Sequence, residues 1–235
     1  MENEELKKIM ERIGAGREYR RTADFEVREK QNGEEDRKSV QGYACTFGEE
    51  YLLYDWGDYR VLEQIDPHAF DECDMSDVIM QYDHQGRVFA RVSNGTLNVR
   101  TDGHGLAVEA ELGGTQIGQQ LYEEIRGGYT TKMSFGFRVK EDQRIVTEDY
   151  ETAVTTVHRT ITKISKLYDV SAVSLPANDG TEISARSWAE GVIAELKAER
   201  LRAEEEQARK VRAEEERAQK VRAMKMRLEL DTHEN

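Results

Sequence analysis

Apolar and polar residues alternate through the middle of the chain. Strand-like patterns, alternating or briefly continuous in apolar residues, fall at 22–29, 40–47, 59–65, 78–82, 97–100, 106–112, 131–140, 153–164 and 167–175. A period of two turns one side of an extended chain toward a core and the other toward water, so each run predicts a β-strand. The polar stretch Gln31-Asn32-Gly33-Glu34-Glu35-Asp36 supplies a hairpin connection between the first two. The period changes at residues 115–126, where Ile117, Leu121 and Ile125 are spaced by four and give a helix one apolar face. Gly127-Gly128 ends that helix and delivers the chain to the run at 131. Leu6, Ile9, Met10 and Ile13 predict a shorter amphipathic helix over residues 3–13, stopped by Gly14-Ala15-Gly16. Asp66-Pro67 marks the start of a helical turn and Leu175-Pro176 the end of the last strand. Many short strands with one or two interposed helices predict a mainly β (α+β) fold, a closed or nearly closed β-barrel flanked by helices.

After Trp188 the pattern becomes repetitive. Arg202-Ala203-Glu204-Glu205-Glu206-Gln207-Ala208-Arg209-Lys210-Val211 returns as Arg212-Ala213-Glu214-Glu215-Glu216-Arg217-Ala218-Gln219-Lys220-Val221. Helix formers dominate, and Glu205–Arg209, Glu206–Lys210 and Glu216–Lys220 are i,i+4 pairs of favourable orientation. A ten-residue period drifts by roughly 80° per repeat around a helix of 3.6 residues per turn, which is poor for a long two-stranded seam. A solvated or weakly associating helix and a true coiled coil both remain open, and an interaction tail is the functional form of either. The chain thus divides into an N-terminal helical arm (1–19), a mainly β domain (20–186) and a charged helical tail (187–235).

Composition narrows the function classes. Charged residues make up 34% of the 235 positions against 37% apolar, with the charge concentrated before Lys38 and after Trp188. A net charge of −13 argues against unassisted binding to nucleic acid, which needs Lys and Arg to release counterions from the phosphates. Cys45 and Cys73 form neither a CxxC motif nor a disulfide framework, which fits a reducing cytosol. The N-terminus Met1-Glu2-Asn3-Glu4-Glu5 is unlike a signal peptide, and no apolar run approaches the ~20 residues a bilayer requires. The expectation is a soluble protein without a membrane partner.

Three residues suggest chemistry. Ser134 is set among apolar residues in Lys132-Met133-Ser134-Phe135-Gly136-Phe137-Arg138. His84 lies in Tyr82-Asp83-His84-Gln85, a polar break after Val78-Ile79-Met80, and Asp169 lies inside Leu167-Tyr168-Asp169-Val170-Ser171. A serine hydroxyl becomes a useful nucleophile only beside a base that a third group orients. On the residues alone, a packing serine and a surface histidine explain the same positions, and the G-x-S-x-G elbow is absent. His104 with Asp102 fits a metal cluster less simply than it fits the hairpin turn Thr101-Asp102-Gly103-His104-Gly105. His68 fits a helix entry after Asp66-Pro67. Tyr51, Tyr54, Trp56 and Tyr59 serve either packing or a substrate groove, and Cys45 and Cys73 read as packing residues. No metal or cofactor is expected.

A series of ordered pieces carries a resemblance. Arg60-Val61-Leu62-Glu63-Gln64-Ile65-Asp66-Pro67-His68-Ala69-Phe70 is followed by the His84 segment, Gly95-Thr96-Leu97 and Gly105-Leu106. Then come Met133-Ser134-Phe135-Gly136-Phe137, Asp169-Val170-Ser171 and Leu175-Pro176-Ala177-Asn178. Over roughly residues 20–185 this order resembles the prohead proteases of tailed bacteriophages, similar in fold to the herpesvirus assemblins, which are serine proteases built on a β-barrel. The resemblance implies a serine endopeptidase that cleaves capsid and scaffolding proteins, and itself, inside an immature phage head in the host cytoplasm. It implies Ser134 as nucleophile and His84 as general base. Asp169 stands where the family usually has a glutamate, one methylene longer, while His158 matches the second histidine of the assemblins. Asp169, His158 or another group is the third member, or Ser134 and His84 act as a dyad. The major capsid protein and a scaffolding segment are the implied partners, and a homodimer follows by analogy with assemblins. A non-enzymatic internal scaffold with a protease-like barrel is the alternative, and a regulatory β-barrel unrelated to phage is a third reading.

Overall fold

The structure is a computed structural model that describes residues 17–27, 38–173 and 183–233. Its strands are β1 (Glu18–Val27), β2 (Ser39–Thr46), β3 (Tyr51–Asp55), β4 (Tyr59–Ile65), β5 (Ile79–Tyr82), β6 (Gln85–Arg91), β7 (Leu97–Thr101), β8 (Gly105–Glu111), β9 (Lys132–Asp149) and β10 (Val154–Val173). Helix α1 (Gln116–Arg126) precedes β9, and α2 (Ile183–His233) follows β10. The predicted helix at 3–13, the hairpin loop at 31–36 and Leu175-Pro176 lie outside the described residues.

The long antiparallel pair β9–β10 is the spine. The run at 131–140 extends as strand to Asp149, although Glu141–Asp149 is largely polar, because it pairs with the first half of β10. Likewise the runs at 153–164 and 167–175 join in one 20-residue strand. Ser165 and Lys166, the gap between the two runs, fall where the β9–β10 register shifts through successive bulges. On its other edge β10 pairs in parallel with β4 along Thr155–Ile161 and with β5 along Asp169–Ala172. The turns over residues 66–78 bridge these partners across the bulged middle, with Ile164 N donating to Ala69 O and Leu167 N to Asp74 O.

The sheet runs β3-β4-β10-β9-β1-β2-β8-β7, with β5 and β6 branching from β10. The described strands form a mainly β structure with two helices, and no sheet closes into the barrel that the strand count suggested. The physical reason is β10: two strands share one of its edges, so the sheet branches there, and the path ends at β3 and β7 without joining them. One continuous core draws Ala44 from β2, Met80 from β5, Leu106 from β8, Leu121 from α1, Phe135 from β9 and Val170 from β10. The α1 prediction holds: Thr115 caps the helix by accepting from Gly118 N at 3.1 Å, and Leu121 and Ile125 are buried.

The chain separates into two units, one through Ala189 and one from Glu190 onward. In the second, the described side chains over residues 201–223 are all exposed, and Lys210 pairs with Glu206 at 2.7 Å one turn away. No described helix is long and apolar enough to cross a membrane.

Candidate active site

His84 owes its position to a tight turn. Tyr82 pairs with Gln85, leaving Asp83 and His84 as the two-residue loop of the β5–β6 hairpin, both left-handed at φ 47° and 58°. Positive φ at both positions is the type I′ geometry that matches the twist of the flanking strands, and it usually recruits Asn-Gly or Asp-Gly. Here a bulky residue occupies the second position, an unfavourable backbone choice that keeps the imidazole at the tip of the hairpin. Asp83 N donates to Ala172 O at 2.9 Å, which pins the turn to the end of β10.

Strand register supplies the other groups. Ser134 on β9 stands opposite Ser171 on β10, and Asp169 lies two residues before Ser171. Side chains two apart share one face of a strand, so all three leave the sheet together, while Met133, Phe135, Val170 and Ala172 enter the core from the other face. His84 closes the set. Its Nε2 lies 2.6 Å from Ser134 Oγ and its Nδ1 lies 2.5 Å from Asp169 Oδ1. A carboxylate accepting at Nδ1 requires the ring proton there, which leaves the Nε2 lone pair facing the serine hydroxyl. Asp169 and Ser171 are fully buried and Ser134 nearly so. Asp169 Oδ1 also accepts from Ser171 Oγ at 2.8 Å, and its Oδ2 forms an ion pair with Arg17 Nη2 at 2.7 Å. Such an array can take a proton from the hydroxyl as the oxygen attacks a carbonyl.

His158, the alternative third group, is not part of this set. Its Nδ1 pairs with Glu50 Oε1 at 2.8 Å and its Nε2 with Thr147 Oγ1 at 3.1 Å, eleven residues back along β10 from Asp169. Asp102 organises the β7–β8 turn: its Oδ1 accepts from His104 N at 2.8 Å and Gly105 N at 3.1 Å, and its Oδ2 from Tyr43 at 2.9 Å. Among the described residues no group of three or more His, Cys, Asp or Glu side chains is arranged to hold a metal ion. His68 lies in a series of turns rather than a regular helix, exposed, with Nδ1 3.0 Å from Asp71. Tyr54 stacks on Trp56 at 5.0 Å, Tyr59 is buried, and Tyr51 donates to Glu63. Burial pushes both the Cys45 and Cys73 thiols up to about 12, so neither is a ready nucleophile near neutral pH.

Sequence reasoning did not anticipate Arg17, Ser171, strands β3 and β6 or a buried ionic cluster. In the cluster, Arg20 Nη2 lies 2.8 Å from Glu63 Oε2 and 2.5 Å from Glu18 Oε2, while Arg159 Nη1 lies 2.8 Å from Glu63 and 3.0 Å from Glu18. The Trp188 ring covers Arg159 at 4.0 Å. A signal existed: Glu63 interrupts the inward row Tyr59, Val61, Ile65, and Arg159 interrupts Val157, Ile161. Charges of opposite sign at core positions of two strands indicate a buried pair. A groove of about 570 Å³ also opens beside the hairpin, lined by Tyr82, Asp83, Gln85 and Phe89 and, from α1, by Ile117 and Leu121.

Comparison with protein families places these observations in a known group. Residues 23–192 match the family described as caudovirus prohead serine protease. No curated protein and no solved structure matches the chain.

Proposed function

Because the chain belongs to the caudovirus prohead serine protease family, we propose that it is a prohead maturation endopeptidase with Ser134 as nucleophile, His84 as general base and Asp169 as the group that orients His84. The observation that carries this reading is the pair of contacts on one imidazole, 2.6 Å to Ser134 Oγ and 2.5 Å to Asp169 Oδ1. As the serine oxygen attacks the scissile carbonyl carbon, its proton passes to Nε2. Asp169 stabilises the resulting imidazolium, which returns the proton to the leaving amine. Water then enters by the reverse path: His84 takes one of its protons, the hydroxide attacks the acyl ester, and Ser134 recovers its hydrogen.

The substrates are the capsid protein, a scaffolding segment and the chain itself, met in the interior of the prohead in the host cytoplasm. The groove between the β5–β6 hairpin and α1 would receive an apolar side chain of the peptide. Asp83 and Gln85, the neighbours of His84 in the hairpin, line one wall, and the helix that forms the other leads through Gly127-Gly128 into the strand of Ser134. The charged segment 187–235 serves as the recruiting or self-removed tail.

Co-expression with the coat protein tests the reading, comparing wild type with Ser134→Ala by intact mass of both polypeptides. Cleavage by wild type and its loss in a folded Ser134→Ala chain is the expected result. Equal cleavage by the two rejects Ser134 as nucleophile, and intact products in both favour the scaffold.

A further inference from the structure

We infer that Arg17 is a positioning residue for the Ser134–His84–Asp169 array, acting through Asp169. The inference rests on the catalytic reading above. Asp169 is fully buried, and one of its oxygens is occupied by His84 and Ser171. Its other oxygen faces Arg17 Nη2 at 2.7 Å. A carboxylate withdrawn from water needs compensating charge and hydrogen bonds. Arg17 supplies the charge from a chain segment remote from both strands of the array.

The guanidinium is held in place from a second side. Its Cζ lies 4.2 Å from the centroid of the Tyr168 ring, a cation–π contact. Tyr168 and Asp169 are adjacent on β10 and in a regular strand would point to opposite faces. The register shift between Leu167 and Asp169 breaks that alternation, which lets both residues reach Arg17. The backbone of Arg17 is placed by Glu18, the first residue of β1, which pairs with Phe137 on the strand that carries Ser134. Arg17 therefore ties β1, β9 and β10 together at the carboxylate.

The charged and titratable groups around the pair are His84 and Asp83 on the hairpin, Arg138 on β9, and Tyr168 and Lys166 on β10. Arg138 and Lys166 each lie 5.8 Å from the Tyr168 ring, and Lys166 pairs with Asp74 at 2.6 Å. Removing the cation at position 17 leaves the buried Asp169 carboxylate without its compensating charge, so it is held less firmly against His84 Nδ1 and the imidazole is less well aligned with Ser134.

The test measures the rate at which a fluorophosphonate labels Ser134 in the full-length chain. In that reaction the serine oxygen bonds to phosphorus, fluoride departs and the hydroxyl proton passes to His84, so no peptide substrate is needed. Arg17→Met is expected to label about tenfold more slowly than wild type at an unchanged melting temperature, the scale of one lost contact to a charged group, and Arg17→Lys to recover most of the rate. Equal labelling rates for wild type and Arg17→Met overturn the inference. So does a loss that lysine does not recover and that accompanies a lower melting temperature, because that is a folding effect. Ser134→Ala marks the background; a wild-type chain no better labelled than this variant overturns the catalytic reading, and the inference with it.

Discussion

Ser134 and Ser171 stand directly opposite each other on neighbouring strands, yet they bond to opposite ends of one chain of polar groups. Ser134 meets His84 Nε2, while Ser171 donates to the carboxylate that holds His84 Nδ1. A single cross-strand position therefore sets both the first and the last contact of the array, and the substitutions below separate the roles.

Asp169→Asn keeps the size and position of the side chain but presents an amide where the imidazole needs an acceptor, stabilising the wrong tautomer. Turnover of the coat protein is expected to fall by about 10³–10⁴-fold, the scale seen when the orienting aspartate of another serine protease is so changed. Thermal melting should move little by comparison. A rate within a few-fold of wild type would remove Asp169 from the array.

Ser171→Ala deletes one donor to Asp169 Oδ1 and leaves the His84 and Arg17 contacts. The loss of one hydrogen bond to a charged acceptor, about 1.5–3 kcal/mol, predicts a fall in kcat on the order of 10- to 100-fold with KM nearly unchanged. Steady-state kinetics that show KM rising instead would assign Ser171 to substrate binding.

Glu63→Gln strikes the buried cluster. It leaves Arg20 and Arg159 under-compensated in the interior, at an expected cost of about 3–5 kcal/mol in denaturant unfolding. The same carboxylate gives a pH signature. Burial works to raise its pKa, but the Arg20 guanidinium, and after it Arg159, outweigh burial and hold it down at about 2. A carboxyl lowered by folding contributes its stability above its ordinary value of 4.5 and loses it as pH falls toward 2. Wild-type stability should decline through that window, and the slope should be shallower in Glu63→Gln.

Trp188 predicts where the folded unit ends. A chain terminated after Arg200 keeps the ring over Arg159, whereas one terminated after Arg186 exposes the ionic cluster. The shorter chain should be less stable by roughly 2 kcal/mol or more. Equal denaturant midpoints for the two truncations would show that the stacking contributes nothing.

The contrast between legible and illegible parts of the chain follows the range of the forces involved. Strand β4 was readable to the residue at 59–65, and α1 within one residue, because one-sided burial imprints a period on neighbouring side chains. The order of short motifs around His84, Ser134 and Asp169 carried the family resemblance without any coordinates. Strand β6 was missed because its turn is Asp83-His84, without the glycine that usually announces such a hairpin. The polar half of β9 lay beyond the predicted run at 131–140, since its stability comes from pairing with β10 rather than from burying an apolar face. Whether the sheet closes is absent from local alternation as well; it depends on β10 giving one edge to two partners. By itself the sequence determined helix α1 and most strands that bury an apolar face, and which side chains can do chemistry. Only the tertiary structure decided that Asp169 rather than His158 stands beside His84, and that Arg17 faces Asp169, because those contacts are set by register and bulges between strands distant in the chain.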